Sequence, residues 1–173
     1  MDAVLATHSE TCAFAMRDVE LFAGGDGGGC DLELISTPFS ASTRFTFDHH
    51  QGDVNVLEGW LRNKKAENLA IWIASTESYA VVAEDEGRIV GLAMLSAEGT
   101  VSLCYLVPEA HHRNIGKAML VALEEEACRR GLREVSVSST RTAHSFYLCN
   151  EFVDEGSSES TLGLDSLRMR KAF

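Results

Sequence analysis

The sequence predicts a single α/β (α+β) domain with a mixed, mostly antiparallel central sheet of roughly six to seven strands, flanked by about four helices. Three observations lead to this prediction: a length of 173 residues, short strand patterns along the chain, and helical spacing between them. A chain of this length has room for one hydrophobic core. The composition, 45% hydrophobic and 24% charged, excludes collagen-like, coiled-coil and wholly disordered chains.

The net charge, the lengths of the apolar runs and the spacing of the cysteines argue against several other classes of protein. A net charge of −11 and a pI near 4.9 argue against nucleic-acid binding, which needs a surplus of Lys and Arg on one face. No apolar run reaches the roughly 18 residues of a membrane helix, and Met1–Glu10 lacks the segments of a signal peptide. The five cysteines are odd in number and show no CxxC spacing, so no metal site or disulfide framework is expected. We therefore expect a cytoplasmic protein that binds neither nucleic acid nor membrane.

The amino-terminal segment, residues 1–29, is predicted to be an appendage with a glycine-rich linker. Five of the six residues in Gly24–Gly29 are glycine, and glycine loses the most backbone entropy when a segment becomes ordered. Upstream of it, Cys12–Phe22 could form a short helix. The folded domain would then span residues 30–173.

The first part of that domain predicts one strand and two helices. Asp31–Ser36 alternates in the manner of a first strand, and Arg44–Phe47 competes for the same role. The apolar spacing from Val54 to Ala74 predicts two short helices with a break around Lys64–Asn68.

Antiparallel strands follow, and then helices and strands alternate. Three strands are predicted at Tyr79–Ala83, Arg88–Leu95 and Thr100–Val107, and the turn-rich Glu84–Gly87 makes the first two a hairpin. Ser96–Gly99 does the same between the second and the third. The remaining predicted elements are a helix from Ile115 to about Arg130 that ends at Gly131, a strand at Glu134–Ser138, a helix at Thr142–Asn150, and strands at Phe152–Glu155 and Ser166–Lys171. A strand–helix–strand step requires a parallel crossover, so the sheet should be mixed.

The link between the strand that ends at Val107 and the helix that begins at Ile115 is the predicted binding site. Backbone N–H groups in such a loop and first helical turn have no partner within the helix, and the aligned peptide dipoles add about half a positive charge there. Between Ala110 and Leu123 the sequence has no acidic residue, whereas Arg113, Lys117 and two histidines are present. In an acidic chain, this window predicts a phosphate-binding corner.

The run from Leu103 to Leu120 resembles motif A of the GCN5-related N-acetyltransferase (GNAT) family, whose consensus is Gln/Arg-x-x-Gly-x-Gly/Ala. The corresponding residues are His111-His-Arg-Asn114-Ile-Gly116. His111 replaces the Gln/Arg, and Asn114 replaces the first glycine. Asparagine is the non-glycine residue that best tolerates left-handed backbone angles, so the turn can be kept.

Two further segments resemble the family in order and spacing. Ala83–Gly91 resembles its second and third strands with their hairpin, and Ala143–Phe152 resembles Ala-x-x-Phe-Tyr-x-x-x-Gly-Phe, with Glu151 in place of the glycine. The resemblance extends from Tyr79 to Phe152. It implies a GNAT-like domain whose central sheet is splayed in the middle.

The resemblance implies an N-acetyltransferase that uses acetyl-CoA as cosubstrate and acetylates a primary amine of a small molecule or protein by direct attack. The coenzyme would lie between the strand that ends near Val107 and the strand Glu134–Ser138. The implied coenzyme-binding residues are Leu106 and Val107 for the pantetheine arm, His111, His112, Arg113, Asn114, Ile115, Gly116, Lys117 and Ala118 around the pyrophosphate, and Phe146. No metal is implied, and because family members are often dimers, a homodimer is the expectation.

Tyr147 matches the general-acid tyrosine of the family, which is implied to protonate the leaving thiolate. The competing interpretation is a core side chain beside Phe146. The general base is open among a water relayed through backbone carbonyls, His111 and Glu109, since Val101–Val107 contains no carboxylate.

The acceptor and two competing functions are also open at this stage. The fold implies an acceptor site built by roughly Phe47 to Ala74 and the carboxyl tail, where Phe47, Trp60 and Trp72 form either an apolar wall or part of the core. Cys104 and Tyr105 could line it, although strand alternation could send one of them to the core. The competing functions are a catalytically silent acyl-CoA-binding regulatory module and a mononucleotide-binding domain, which the lack of a Gly-x-x-x-x-Gly-Lys-Ser/Thr run disfavours.

Overall fold

The structure is a computed structural model that describes residues 15–18, 66–159 and 165–173. These ranges contain seven β-strands and three α-helices, and they confirm the predicted α/β fold. The elements in chain order are β1 (Ala15–Asp18), α1 (Ala66–Ala74), β2 (Ser78–Asp85), β3 (Arg88–Ser96), β4 (Thr100–Leu106), α2 (Ile115–Arg129), β5 (Glu134–Ser139), α3 (Arg141–Cys149), β6 (Val153–Glu159) and β7 (Asp165–Ala172). A single 3₁₀ turn, Pro108–Ala110, lies between β4 and α2.

The strands form one mixed sheet in the order β1-β2-β3-β4-β5-β7-β6. Every neighbouring pair is antiparallel except β4 and β5, which are parallel, as the predicted crossover requires. These two strands pair only at Thr100↔Ser136 and Val101↔Val137, although β4 continues to Leu106. They therefore diverge beyond Val101, and the splay in the middle of the sheet is confirmed.

Helices cover both faces of this sheet. On one face α2 buries Ile115, Met119 and Leu123 in the larger core cluster. On the other face α1 buries Leu69 and Ile73 in a second cluster. The fourfold spacing in both helices is the apolar spacing on which the sequence prediction of helices was based.

The predicted elements from Tyr79 to Lys171 are all present, with ends that differ by a few residues. The β2–β3 turn consists of Glu86 and Gly87, with φ angles of 50° and 77°, which are the left-handed angles of the predicted hairpin turn. Earlier in the chain, the first residue of one helix differs from the prediction. Helix α1 begins at Ala66, inside the break predicted around Lys64–Asn68, so the second short helix starts earlier than expected.

Strand β1 corrects the expectation for the amino-terminal segment. Ala15–Asp18 pairs antiparallel with β2, from Ala15↔Glu84 to Asp18↔Val81. The centre of Cys12–Phe22 is therefore a strand, and the short helix expected there is wrong. These four residues belong to the sheet rather than to an appendage. The rest of residues 1–29 and the two candidate first strands lie outside the described residues.

The backbone at Glu151 shows why the resembled motif has glycine there. Glu151 lies in the turn between α3 and β6 and has a φ of 69°, a left-handed angle that costs a residue with a Cβ about 1–2 kcal/mol. Its carboxylate is 3.5 Å from Lys171 Nζ, but the side chain is 83% exposed, so this ion pair contributes little to stability.

We expect Glu151→Gly to raise the free energy of unfolding by about 0.5–1 kcal/mol, because relief of backbone strain exceeds the added entropy of the unfolded chain. Urea unfolding measures the change. Glu151→Ala is the matched control: it removes the same ion pair but keeps the strained Cβ, so it should not stabilise. A Gly variant no more stable than the Ala variant would show that the turn holds no strain.

Candidate functional site

A cavity of about 600 Å³ lies where β4 and β5 diverge. Its walls are the end of β4, the loop before α2, the first turns of α2, the end of β5 and one side of α3. The lining residues are Val101, Ser102, Cys104, Tyr105, Leu106, His111, His112, Asn114, Ile115, Gly116, Lys117, Met119, Val137, Ser138, Ser139, Thr140, Thr142, Ala143, Ser145, Phe146, Tyr147, Cys149 and Asn150.

The loop before α2 makes a sharp left-handed bend. His112 and Asn114 have φ angles of 59° and 61°, and Asn114 is the N-cap residue of α2. Asparagine thus keeps the left-handed turn at the position where the family consensus has glycine, as the sequence predicted. The preceding 3₁₀ turn is closed by the His111 N–H, which donates to Pro108 O at 3.1 Å. This bend brings the first turn of α2 to the cavity.

The first turn of α2 presents backbone donors to the cavity. The Ala118 N–H donates to Asn114 O at 3.0 Å, so the amides of Ile115, Gly116 and Lys117 precede the first intrahelical hydrogen bond. These three residues line the cavity. The turn contains no acidic residue, and the helix dipole places partial positive charge there. The arrangement can bind a phosphate or diphosphate group.

The end of β4 directs one residue's backbone into the gap between the diverging strands. The Val107 N–H donates to Val90 O at 2.8 Å and is therefore turned towards β3. Because neighbouring residues of a strand direct their backbone groups to opposite sides, the N–H and C=O of Leu106 face the gap. The Leu106 carbonyl accepts a hydrogen bond from His111 Nε2 at 3.3 Å.

Tyr147 combines a core position with a cavity position. Its ring is 5% exposed and makes edge-to-face contacts with Phe146 and Phe152, at centroid distances of 5.1 Å and 5.3 Å. The residue also lines the cavity, and its hydroxyl is close enough to the Cys104 thiol for each group to influence the pKa of the other. The two interpretations of Tyr147 made from the sequence are therefore compatible.

Burial keeps this pair of groups protonated. Removal from water raises the pKa of Tyr147 well above that of a free phenol, and the neighbouring Cys104 and Tyr105 raise it further. Burial also raises the pKa of the Cys104 thiol to about 11, although the neighbouring Tyr147 hydroxyl partly offsets this. At neutral pH Tyr147 therefore keeps its proton, and Cys104 is not a thiolate nucleophile.

The structure brings most of the predicted site residues together. Among the described residues, only Val107, Arg113 and Ala118 of the predicted set do not line the cavity. The N–H groups of Val107 and Ala118 are committed to backbone acceptors. The Arg113 side chain instead forms an ion pair with Asp85, with 2.6 Å between Nη1 and Oδ2.

The structure describes some of the residues predicted for the general base and for the acceptor site. Glu109 is exposed and, within the described part of the chain, does not border the cavity, whereas His111 does. Trp72 packs against the second core cluster, so its core interpretation is confirmed. Phe47 and Trp60 lie outside the described residues.

One wall of the cavity was not anticipated from the sequence. It is rich in hydroxyl groups, and its members are Ser138, Ser139, Thr140, Thr142 and Ser145. A signal for it exists, since four hydroxyl residues fall between 138 and 142, directly after a predicted strand. The Thr140 hydroxyl has a structural role, because it accepts the Ala143 N–H at 3.2 Å and caps α3.

Two further classes of site, metal centres and membrane-spanning helices, are absent from the described ranges. Residues 15–18, 66–159 and 165–173 contain no group of three His, Cys, Asp or Glu side chains that could hold a metal ion. None of the helices in those ranges has the length and apolar character needed to cross a bilayer.

Comparison with known proteins agrees with this geometry. Among solved structures, the chain is similar to a GCN5-related N-acetyltransferase from Rhodopseudomonas palustris, with a TM-score of 0.76 and 19% identity over 96% of this chain and 100% of that one. It is also similar to the PaiA N-acetyltransferase from Thermoplasma acidophilum, solved with coenzyme A, with a TM-score of 0.72 and 18% identity over 93% and 99% of the two chains. An aminoglycoside 6′-acetyltransferase type Ii gives a TM-score of 0.61 at 16% identity over 91% and 96%.

A search of curated proteins found no match. A family model described as an acetyltransferase (GNAT) domain matches residues 48–173. This match covers most of the chain and includes every part of the cavity described above. The chain therefore belongs to the GNAT acetyltransferase family.

Proposed function

We propose that the protein is an N-acetyltransferase that transfers an acetyl group from acetyl-CoA to a primary amine of a small molecule or protein. One observation carries the proposal: a single cavity between β4 and β5 is bordered both by the α2 amides of Ile115–Lys117 and by the protonated Tyr147. The first feature suits a diphosphate and the second a leaving thiolate, and acetyl-CoA contains both a diphosphate and a thioester.

The proposed binding mode follows the walls of the cavity. The diphosphate would accept hydrogen bonds from the first turn of α2, next to the ammonium group of Lys117. The pantetheine arm would run along β4 and pair with the backbone of Leu106, whose polar groups face the gap. The Leu106 N–H could also polarise the thioester carbonyl as negative charge develops on the carbonyl oxygen. The structural similarity to a protein solved with coenzyme A supports this binding mode.

In the proposed reaction the amine nitrogen attacks the thioester carbon, so that a C–N bond forms and the C–S bond breaks. The leaving thiolate takes the proton of the Tyr147 hydroxyl. The phenolate that remains regains a proton from solvent before the next turnover. The amine must also lose a proton, because a free amine has a pKa of about 10. Among the described residues, His111 at the edge of the cavity is one acceptor for that proton, with water as the alternative.

The acceptor class follows from charge. A chain with a net charge of −11 attracts cations, so an amine that is cationic in solution is the proposed substrate class. A polyamine, an amino acid, an aminoglycoside and a peptide amino group all have this property.

A catalytically silent acyl-CoA-binding module of the same fold is the second candidate. It is favoured by β4, which carries no carboxylate that could serve as a base over Thr100–Leu106. The two candidates share the coenzyme site and differ only in turnover.

Two measurements test these proposals. Isothermal titration should show that acetyl-CoA binds and that ATP does not, and a thiol-release assay should show turnover that depends on one class of amine. Binding of acetyl-CoA without thiol release on any amine of a panel would support the silent module. Binding of ATP in place of acetyl-CoA would refute both candidates.

A further inference from the structure

An ion pair connects the loop before α2 to the β2–β3 hairpin. Arg113 Nη1 donates to Asp85 Oδ2 at 2.6 Å, across 28 positions of sequence. The Asp85 side chain is 17% exposed and that of Arg113 35%, so water screens this pair less than a surface pair. The guanidinium beside Asp85 holds the pKa of that carboxyl below its usual range, which is the direction a formed ion pair produces.

Arg113 lies at the centre of the left-handed bend. Its two neighbours, His112 and Asn114, have φ angles of 59° and 61°. Such angles cost a residue with a Cβ about 1–2 kcal/mol, although less for asparagine. Glycine, which the family consensus has in place of Asn114, adopts them without that cost. In this chain, the contact that Arg113 makes outside the loop therefore adds free energy that helps to hold the bend.

Asp85 is a suitable anchor because it is part of a rigid element. It is the last residue of β2 and pairs with Arg88 across the two-residue turn. The β2–β3 ladder continues to Ser78↔Ser96, and both strands contribute buried side chains to the core. A carboxylate in this position is held in place before the ion pair forms, so the pair loses little entropy in ordering it.

We infer that Asp85 is a positioning residue for coenzyme binding: it holds Arg113, thereby fixes the bend at His112–Asn114, and so aims the amides of Ile115–Lys117 into the cavity. The inference rests on the proposed function, since coenzyme A is the proposed ligand of those amides. It also opposes simple electrostatics. Removal of an acidic charge near a diphosphate site should strengthen anion binding, whereas loss of a positioning residue should weaken it.

The experiment measures coenzyme A binding to variants of the full-length chain by isothermal titration. We expect Asp85→Asn to weaken binding roughly fivefold or more, because a partly buried charge-assisted hydrogen bond is lost. Glu86→Gln is the matched control: it removes the same charge from an exposed position in the same hairpin and should leave binding unchanged or slightly tighter. Arg113→Lys, which keeps the charge but loses the guanidinium geometry, should weaken binding as well and replaces Asp85→Asn should that variant not fold.

A second background tests the link to backbone strain. In Asn114→Gly part of the backbone strain is removed while that of His112 remains, so Asp85→Asn should weaken coenzyme binding by a smaller factor there than in the wild-type background. Unchanged or tighter binding by Asp85→Asn, or an equal loss in both backgrounds, would overturn the inference and leave the proposed function intact.

Absence of coenzyme A binding by the wild-type chain would refute the proposed function instead. In that case hydrogen exchange at the Ala118 amide, which donates to Asn114 O at the bend, decides the inference. Faster exchange in Asp85→Asn than in wild type would support the positioning role, and equal exchange would overturn it.

Discussion

Replacement of Tyr147 by phenylalanine should lower kcat for acetyl transfer at least tenfold while the Kd for acetyl-CoA changes less than about twofold. The substitution removes the hydroxyl beside Cys104 and keeps the ring. The edge-to-face contacts with Phe146 and Phe152 should therefore survive. The only expected loss is the group that donates a proton to the leaving thiolate. Thiol release in the presence of a productive amine measures kcat, and isothermal titration measures Kd.

The pKa of Tyr147 adds a constraint on the pH profile. Because burial raises that pKa well above the value of a free phenol, the hydroxyl remains protonated at and above neutral pH. Loss of the Tyr147 proton should therefore not lower the wild-type kcat between pH 7 and about pH 9. If kcat falls in that range, the same fall should be present in the phenylalanine variant. Any such fall belongs to another group.

Tyr79→Phe is the matched control for the loss of a phenol hydroxyl. Tyr79 packs against the same core cluster as Tyr147 but, in the described part of the chain, is not one of the residues that border the cavity. Its substitution should leave kcat unchanged. Equal kcat in wild type and Tyr147→Phe would assign Tyr147 to the core alone and would mean that another group protonates the leaving thiolate.

The corner at the start of α2 could be predicted because its determinants are local. Three features predict where this helix begins and ends: a stretch without acidic residues, an asparagine that tolerates left-handed backbone angles, and a glycine directly after the helix. Each of them can be recognised from a few neighbouring residues. The structure has Asn114 at φ 61° before α2 and Gly131 at φ 77° after it, as predicted for the turn that begins this helix and the glycine that ends it. Such local rules hold because the backbone N–H and C=O groups at helix ends find hydrogen-bond partners within a few positions along the chain.

The positions of Cys104 and Tyr105 could not be predicted because alternation along β4 is interrupted. The register passes from Met94↔Leu103 to Leu95↔Val101, so it skips Ser102, and the faces are exchanged at that point. Val101 and Cys104 therefore contact one core cluster and Leu103 and Tyr105 the other. Cys104 and Tyr105 themselves lie on opposite faces of the sheet, yet both border the cavity, which alternation within β4 does not predict.

Strand β1 and the Asp85–Arg113 pair depend on partners far away in sequence. Ala15–Asp18 is a four-residue strand with no alternating apolar pattern, and its extended conformation depends on its pairing with β2. The ion pair joins residues 28 positions apart. Local propensity contains no information on either contact, so both required the tertiary structure.

A charge reversal at Lys117 should separate coenzyme binding from helix stability. We expect Lys117→Glu to weaken coenzyme A binding at least tenfold and to leave the free energy of unfolding unchanged or raise it by about 0.3–1 kcal/mol. Lys117 is exposed in the first turn of α2 and lines the cavity. A carboxylate there complements the helix dipole but repels a bound diphosphate. The two effects have opposite signs, so loss of fold cannot be mistaken for loss of binding. Isothermal titration measures the first and thermal unfolding the second.

Arg133→Glu makes the same change in net charge away from the cavity. Helix α2 has 15 residues, so its carboxyl end, beyond which Arg133 lies, is about 22 Å from its first turn. This variant should bind coenzyme A nearly as well as wild type. The difference between the two variants should decrease as salt is added, since screening weakens the repulsion between exposed charges. Equal affinity of Lys117→Glu and Arg133→Glu at low salt would mean that the diphosphate does not bind at the first turn of α2.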